Sequence, residues 1–162
     1  IAVSFSRIEA PPAAPDTVVG ARRAVASAHS AHGGPDPRYA ECTRAGQAQL
    51  IADDACCGPF VFGAAAPAHW RELDLPAHGV SARVSNGSGL RFMREGSGRA
   101  ALGDPLSALA WLANELSALG ITLEAGQFVS TGTCMAPLQV QPGDAVQADF
   151  GMLGSLTMRL AA

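Results

Sequence analysis

The sequence predicts an α+β, sheet-dominated domain covering residues 1–162, with two or three helices packed outside the sheet. Three observations carry this. Short alternating stretches recur along the chain, and two of them flank Asn86-Gly87-Ser88-Gly89, the strongest hairpin signal present. Eighteen Gly and eleven Pro require many turns. One segment, residues 105–119, has the full grammar of a helix.

Taken in order, residues 1–6 alternate apolar and small polar side chains and read as a strand. Residues 10–15, with three prolines, read as a rigid linker or surface loop. Asp16 is a candidate cap for a helix over 16–31, with Val18, Val19, Arg22, Val25 and Ala26 as its apolar face. Gly33-Gly34-Pro35-Asp36-Pro37 breaks it. Residues 41–55 suit a helix through Ala45, Ala48, Ile51 and Ala52, interrupted by Gly46. Phe60-Val61-Phe62 reads as a short buried strand and 68–73 as a helical turn. Residues 80–85 and 90–95 form the hairpin. Asp104 caps the main helix, Pro105 fits its first position, and Leu106, Leu109, Leu112, Ala113, Leu116 and Leu119 make its apolar stripe, which Gly120 ends. Strands then follow at 127–131, 138–140, 145–150 and 155–160, the middle two flanking the Pro142-Gly143-Asp144 turn.

A formal charge of −3 without any basic run excludes nucleic acid and anionic membrane as expected partners. No apolar run approaches a membrane span, and IAVSFSRIEA has neither the basic region nor the cleavage site of a signal peptide. All eleven basic residues are Arg, so no Schiff-base lysine can come from this segment. Cys42, Cys56, Cys57 and Cys134 lack C-x-x-C spacing and read as reduced, buried thiols of a cytoplasmic protein rather than a zinc site. His29, His32, His69 and His78 read as helix-end or surface residues, His29 and His32 sharing one helix face. No metal ligand or catalytic residue is assigned. Asp149 reads as a solvated or turn-capping carboxylate.

Two stretches could carry chemistry. Thr131-Gly132-Thr133 offers two hydroxyls and an unhindered N–H able to hold a carboxylate, and equally reads as a plain strand terminus. Asp53-Asp54-Ala55-Cys56-Cys57-Gly58 reads either as part of a pocket wall or as a helix end entering a strand, since adjacent carboxylates diverge.

The run GDPLSALAWLANELSALGITLEAGQFVSTGT, with Pro142-Gly143-Asp144 and the Asp149-Phe150-Gly151-Met152-Leu153-Gly154 motif, resembles the fumarylacetoacetate hydrolase superfamily. Within it the resemblance is to the 2-keto-4-pentenoate hydratase and 4-oxalocrotonate decarboxylase branch, running from about Asp53 to Leu160 and more weakly from Ile1 to Tyr39. It implies a mixed β fold with a rolled sheet. The implied activity is hydration of a 2-hydroxy-2,4-dienoate in aromatic catabolism, or else a 2-oxo-acid decarboxylase. A third reading is a non-catalytic member serving as partner subunit or small-acid binding module. A homo-oligomer is implied, as is a hydratase or decarboxylase partner.

The resemblance also implies that the 131–133 turn contacts the 2-oxo acid, and that Cys56 and Cys57 stand where the branch has two serines near the substrate. A thiol donates a weaker hydrogen bond than a hydroxyl. The family binds Mg2+ or Mn2+ through a Glu-x-Glu pair and a third Glu. By resemblance the pair, and a catalytic Lys, would precede Ile1, while Gly33 stands at the third position; Asp36, Arg38 and Tyr39 match.

Overall fold

The computed structural model describes residues 2–5, 17–41 and 44–161. Among these residues the elements are β1 (Ala2–Phe5), α1 (Val18–Ala24), β2 (Val25–Gly33), α2 (Gln47–Ala52), β3 (Phe60–Ala65), β4 (Gly79–Asn86), β5 (Gly89–Ser97), α3 (Pro105–Ala118), β6 (Phe128–Ser130), β7 (Ala145–Asp149) and β8 (Ser155–Arg159). They form two four-stranded sheets, β3-β2-β1-β6 (sheet A) and β5-β4-β7-β8 (sheet B). The described strand pairs are antiparallel. This is the α+β, sheet-dominated architecture that the sequence predicts.

Sheet B follows its alternation. Val80, Ala82 and Val84 of β4 and Val146 and Ala148 of β7 are buried, while Arg83 and Gln147 between them are exposed. Asn86 pairs with Gly89 to close the predicted hairpin. Beside it, α3 buries Leu106, Leu109 and Ala113, and the Asp104 carboxylate caps it by accepting from the Leu106 N–H at 2.9 Å. The stripe is narrower than its spacing suggests, since Leu119 is exposed. Leu106 and Leu109, with Val80, Ala82 and Ala148 of sheet B, share one core with Ala21, Val25, Ala28, Trp70, Phe150 and Leu153.

Sheet A corrects several expectations. The helix expected over 16–31 stops at Ala24, and residues 25–33 are the strand β2, paired with both β1 and β3. Val25 and Ala26 are therefore not on a helix face, and Val19 is exposed. The run VASAHSAH has no large apolar residue after Val25, so its alternation is nearly silent in hydropathy. Two flanking strands decide its conformation instead. The cap is Thr17, whose hydroxyl oxygen accepts from the Gly20 N–H; Asp16 and the 10–15 loop lie outside the described residues.

His29 and His32, three apart on a strand rather than a helix, face opposite sides. His29 is buried. β3 exists as expected but is not buried: Phe60 and Phe62 are 44% and 47% exposed. Residues 138–140 form no strand, whereas 145–149 and 155–159 do. Around the intervening turn, buried Asp144 accepts from the Gln141 N–H and pairs with Arg91. Asp149 caps its own turn, its carboxylate accepting from the Gly151 N–H at 2.8 Å.

Candidate functional site

The register of sheet A brings the two singled-out stretches to one end. Ala2 pairs with His29 on one side and with Ser130 on the other, so β2 and β6 run the same way; β6 ends level with His29, and β2 continues four residues further, to Gly33. β3 begins at that end too, with Phe60 opposite Gly33. The loop after β2 and the turn 131–133 therefore leave sheet A in the same direction, and the 53–59 segment enters β3 from that side, with turn 131–133 set back on the opposite outer strand.

The 53–59 segment is held from outside by Arg38. Its Nε lies 2.6 Å from the buried Asp53 carboxylate, which also accepts from the Arg38 main-chain N–H at 3.2 Å. The guanidinium further donates to the carbonyls of Asp53, Cys57 and Asp36 at 3.0, 2.6 and 2.9 Å. Asp53, open to two readings in the sequence, is thus the anchor of the loop. Beyond it Asp54, Ala55 and Cys56 all adopt left-handed backbone, with φ of 51°, 52° and 62°. Left-handed geometry costs a non-glycine residue about 1–2 kcal/mol, and such strain persists only where the surroundings impose it. Here they do. The Asp36 N–H donates to the Cys56 carbonyl, and a Cβ on Gly58 would meet the Gly34 carbonyl oxygen at 2.2 Å.

The expectation of buried thiols holds for Cys134 only: Cys57 is exposed and Cys56 half-buried, while Cys42 lies outside the described residues. The reason is the left-handed run, which turns the chain outward before β3.

The turn 131–133 departs from a symmetrical pair of hydroxyls. Thr131 is buried and Thr133 exposed, with Gly132 at φ +116° between them. A Cβ on Gly132 would contact Ala101 at 3.6 Å. The chain then runs tightly across the end of β5, where the Cys134 carbonyl accepts from Ser97 and leaves no room for a side chain at Gly96. Thr133 and the main chain of Gly132 are the accessible part of this turn.

What the sequence did not flag is the face between them. The rings of Phe62 and Phe128 stack with centroids 4.7 Å apart, and His29 meets both edge-on at 5.8 and 5.6 Å. β3 and β6 are the outer strands of sheet A; in a flat sheet three spacings would set them about 14 Å apart. The sheet is rolled. His29 donates from Nδ1 to the Gly63 carbonyl at 2.9 Å, and Nε2 lies 2.8 Å from the Ser27 hydroxyl. His32 faces the other side, and burial lowers its pKa from the ordinary 6.5.

The surface of the described residues includes two cavities. One of about 380 Å3 is lined by Tyr39, Glu41, Arg44 and Gln49 beside the Arg38 loop. The other, about 320 Å3, is lined by Ser81, Glu95, Gly96, Asp149 and Gly151 on sheet B, next to the 131–135 strap but including none of its residues.

Curated relatives place this arrangement. The chain is 33% identical over 111 residues to 2-keto-4-pentenoate hydratase 1 of Dechloromonas aromatica, and 36% identical over 110 residues to 4-oxalocrotonate decarboxylase of Pseudomonas putida. Each match covers 68% of this chain and 40% of the relative. Among solved structures, 4-oxalocrotonate decarboxylase from Pseudomonas putida G7, complexed with magnesium and adipate, superposes with a TM-score of 0.78 at 27% identity. That match covers 98% of this chain and 57% of the other. The chain belongs to this hydratase and decarboxylase branch of the fumarylacetoacetate hydrolase superfamily. It spans about two fifths of the length of the curated relatives. No family profile matches it.

The 4-oxalocrotonate decarboxylase from Pseudomonas putida G7 is complexed with magnesium in one solved structure and with calcium in another. Among the described residues of this chain, no three His, Cys, Asp or Glu come together as a group able to hold an ion. Gly33, where the resemblance implies the third Glu, brings no donor atom, and a Cβ there would sit 3.7 Å from the Phe60 ring. The described residues do not fit a metal centre of the family's kind.

Proposed function

We propose that the chain supplies the 2-oxo-acid-holding part of a hydratase-like lyase that adds water to a 2-hydroxy-2,4-dienoate of the 2-keto-4-pentenoate type. The observation that carries it is that turn 131–133 and loop 53–59 lie toward the same end of a rolled sheet, in a chain of the hydratase and decarboxylase branch. Gly132 and Thr133 present donors for the substrate carboxylate. Arg38 holds Cys56 and Cys57 in the strained turn that would flank it. Aromatic catabolism is the setting this chemistry suits.

The reading treats residues 1–162 as a single domain, in a homo-oligomer that pairs with a hydratase or decarboxylase. A clean monomer in light scattering would count against self-association. No step is routed here through an ion.

A second reading, favoured by Gly33 and its neighbour Phe60, is a non-catalytic module that binds a small 2-oxo acid. One experiment separates the two. The chain is titrated with oxalate alone, with Mg2+ or Mn2+ alone, and with both, and loss of dienoate absorbance is followed on the same sample. Hydration together with micromolar metal binding tightened by oxalate supports the lyase. Oxalate binding with neither metal binding nor turnover supports the module. Failure of oxalate to bind under any condition overturns both.

A further inference from the structure

Cys56 and Cys57 are adjacent thiols that reach solvent, Cys57 exposed and Cys56 half-buried, whereas Cys134 is buried. Adjacency alone makes no site. What sets this pair apart is that its main chain is fully committed. The Cys56 N–H donates to the Asp53 carbonyl and the Cys57 N–H to the Asp54 carbonyl, both at 3.0 Å. The Cys56 carbonyl accepts from the Asp36 N–H at 3.0 Å, and the Cys57 carbonyl from the Arg38 guanidinium at 2.6 Å. Gly58, next along, is wedged against the Gly34 carbonyl. The side chains are the movable parts of this dipeptide.

That frame decides which chemistry the two sulfurs can share. A disulfide is relaxed with α-carbons about 5.5–6 Å apart and β-carbons about 3.8 Å apart. Neighbouring residues hold their α-carbons only about 3.8 Å apart across a trans peptide, and consecutive side chains diverge. A direct S–S bond would have to distort the peptide against the hydrogen bonds that fix it. A single bridging atom replaces one bond between the sulfurs by two, and side-chain rotation can meet it. Zinc does not suit the pair, because it takes four ligands and no three His, Cys, Asp or Glu converge among the described residues. A soft, trivalent centre that asks the protein for two thiolates does.

We propose that Cys56 and Cys57 form a dithiol capture site for trivalent arsenicals, either arsenite or a monosubstituted arsenic(III) compound. Both thiols condense with the arsenic centre. Two As–S bonds form and two As–O bonds break, the thiol protons leave with the released oxygen as water, and arsenic stays trivalent. Its third valence keeps the hydroxyl or organic group it arrived with, so no further protein ligand is needed. The loop is held in place before the arsenical arrives, which lowers the ordering cost of closing the ring. The assignment does not depend on the 2-oxo-acid reading.

Phenylarsine oxide is the probe, with binding to the reduced, folded chain followed by intact mass and by titration of the remaining thiols. One equivalent per chain is expected, with two thiols lost and the thermal midpoint raised. The adduct should survive excess glutathione, a monothiol, and be stripped by 2,3-dimercaptopropanol, a dithiol. Cys56→Ser and Cys57→Ser, checked for folding by circular dichroism, are each expected to weaken binding at least tenfold, and Cys42→Ser to leave it unchanged. Arg38→Ala keeps both thiols but releases the Cys57 carbonyl, and is expected to weaken binding about threefold or more. Absence of binding overturns the proposal, as does tight binding that survives either single-thiol variant or is lost in Cys42→Ser. Unchanged affinity in Arg38→Ala overturns the assignment to the folded loop. Closure of a Cys56–Cys57 disulfide by oxidised glutathione in the folded chain overturns the argument from the fixed main chain.

Discussion

Sheet B and the loop end of sheet A solve opposite problems with the same chain. Sheet B is regular: its alternation sends Val80, Ala82, Val84, Val146 and Ala148 inward, and its turns use glycine where the backbone turns left-handed, as at Gly89 and Gly143. The loop end of sheet A does the reverse. It puts Asp54, Ala55 and Cys56 where glycine would be easier, and it leaves phenylalanines half in water. Regularity marks the part that holds the fold. Local strain marks the part whose shape is being imposed for another purpose.

Mutations can break or sharpen this contrast. The largest effect is expected on the regular side. Arg91→Ala strands the buried Asp144 carboxylate and should cost about 3–5 kcal/mol in urea unfolding. Arg38→Ala should cost less, about 1–3 kcal/mol, because Arg38 is half in solvent and Asp53 keeps its bond from the residue-38 main chain. Its larger consequence is local, read as faster alkylation of Cys57.

A matched pair of glycine substitutions should have opposite signs. Ala55→Gly relieves a left-handed alanine and should stabilise the chain by about 1 kcal/mol, whereas Ala82→Gly within β4 should destabilise it by a similar amount. The same sign in both would refute the assignment of strain to loop 53–59.

The smallest effect concerns pH. Burial lowers the folded-state pKa of His32 below 6.5, so the unfolded chain takes up its proton first. Its contribution is fully present above pH 6.5 and declines as pH falls below that value. His32→Asn should flatten this part of the stability–pH curve in thermal unfolding.

Legibility in the sequence follows the same division. The hairpin around Asn86 and Gly89, the Asp104 cap and α3 could be read because local signals and tertiary demands agree there. β2 could not, since alanine, serine and histidine carry almost no periodic signal and its strand state depends on partners distant in sequence. Both candidate stretches were visible, Thr131-Gly132-Thr133 by its turn chemistry and Cys56-Cys57 by resemblance. That both lie toward one end of sheet A required the register, and so did the Phe62–Phe128 stack, between residues 66 positions apart brought together by a rolled sheet. The pairing of Arg38 with Asp53 left no signal in the sequence, because it joins residues of two loops.

The close approach at Gly58 has a mechanical consequence. Its α-carbon is wedged against the Gly34 carbonyl, the Gly34 N–H donates to Pro59, and the Asp36 N–H donates to Cys56. Each loop thus supplies part of the other's backbone wall, and neither can swing away while its neighbour stays. Residues 34–38 and 53–59 should therefore open as one unit, their amide protons showing a common opening free energy in hydrogen exchange even though 14 residues of chain separate Arg38 from Asp53.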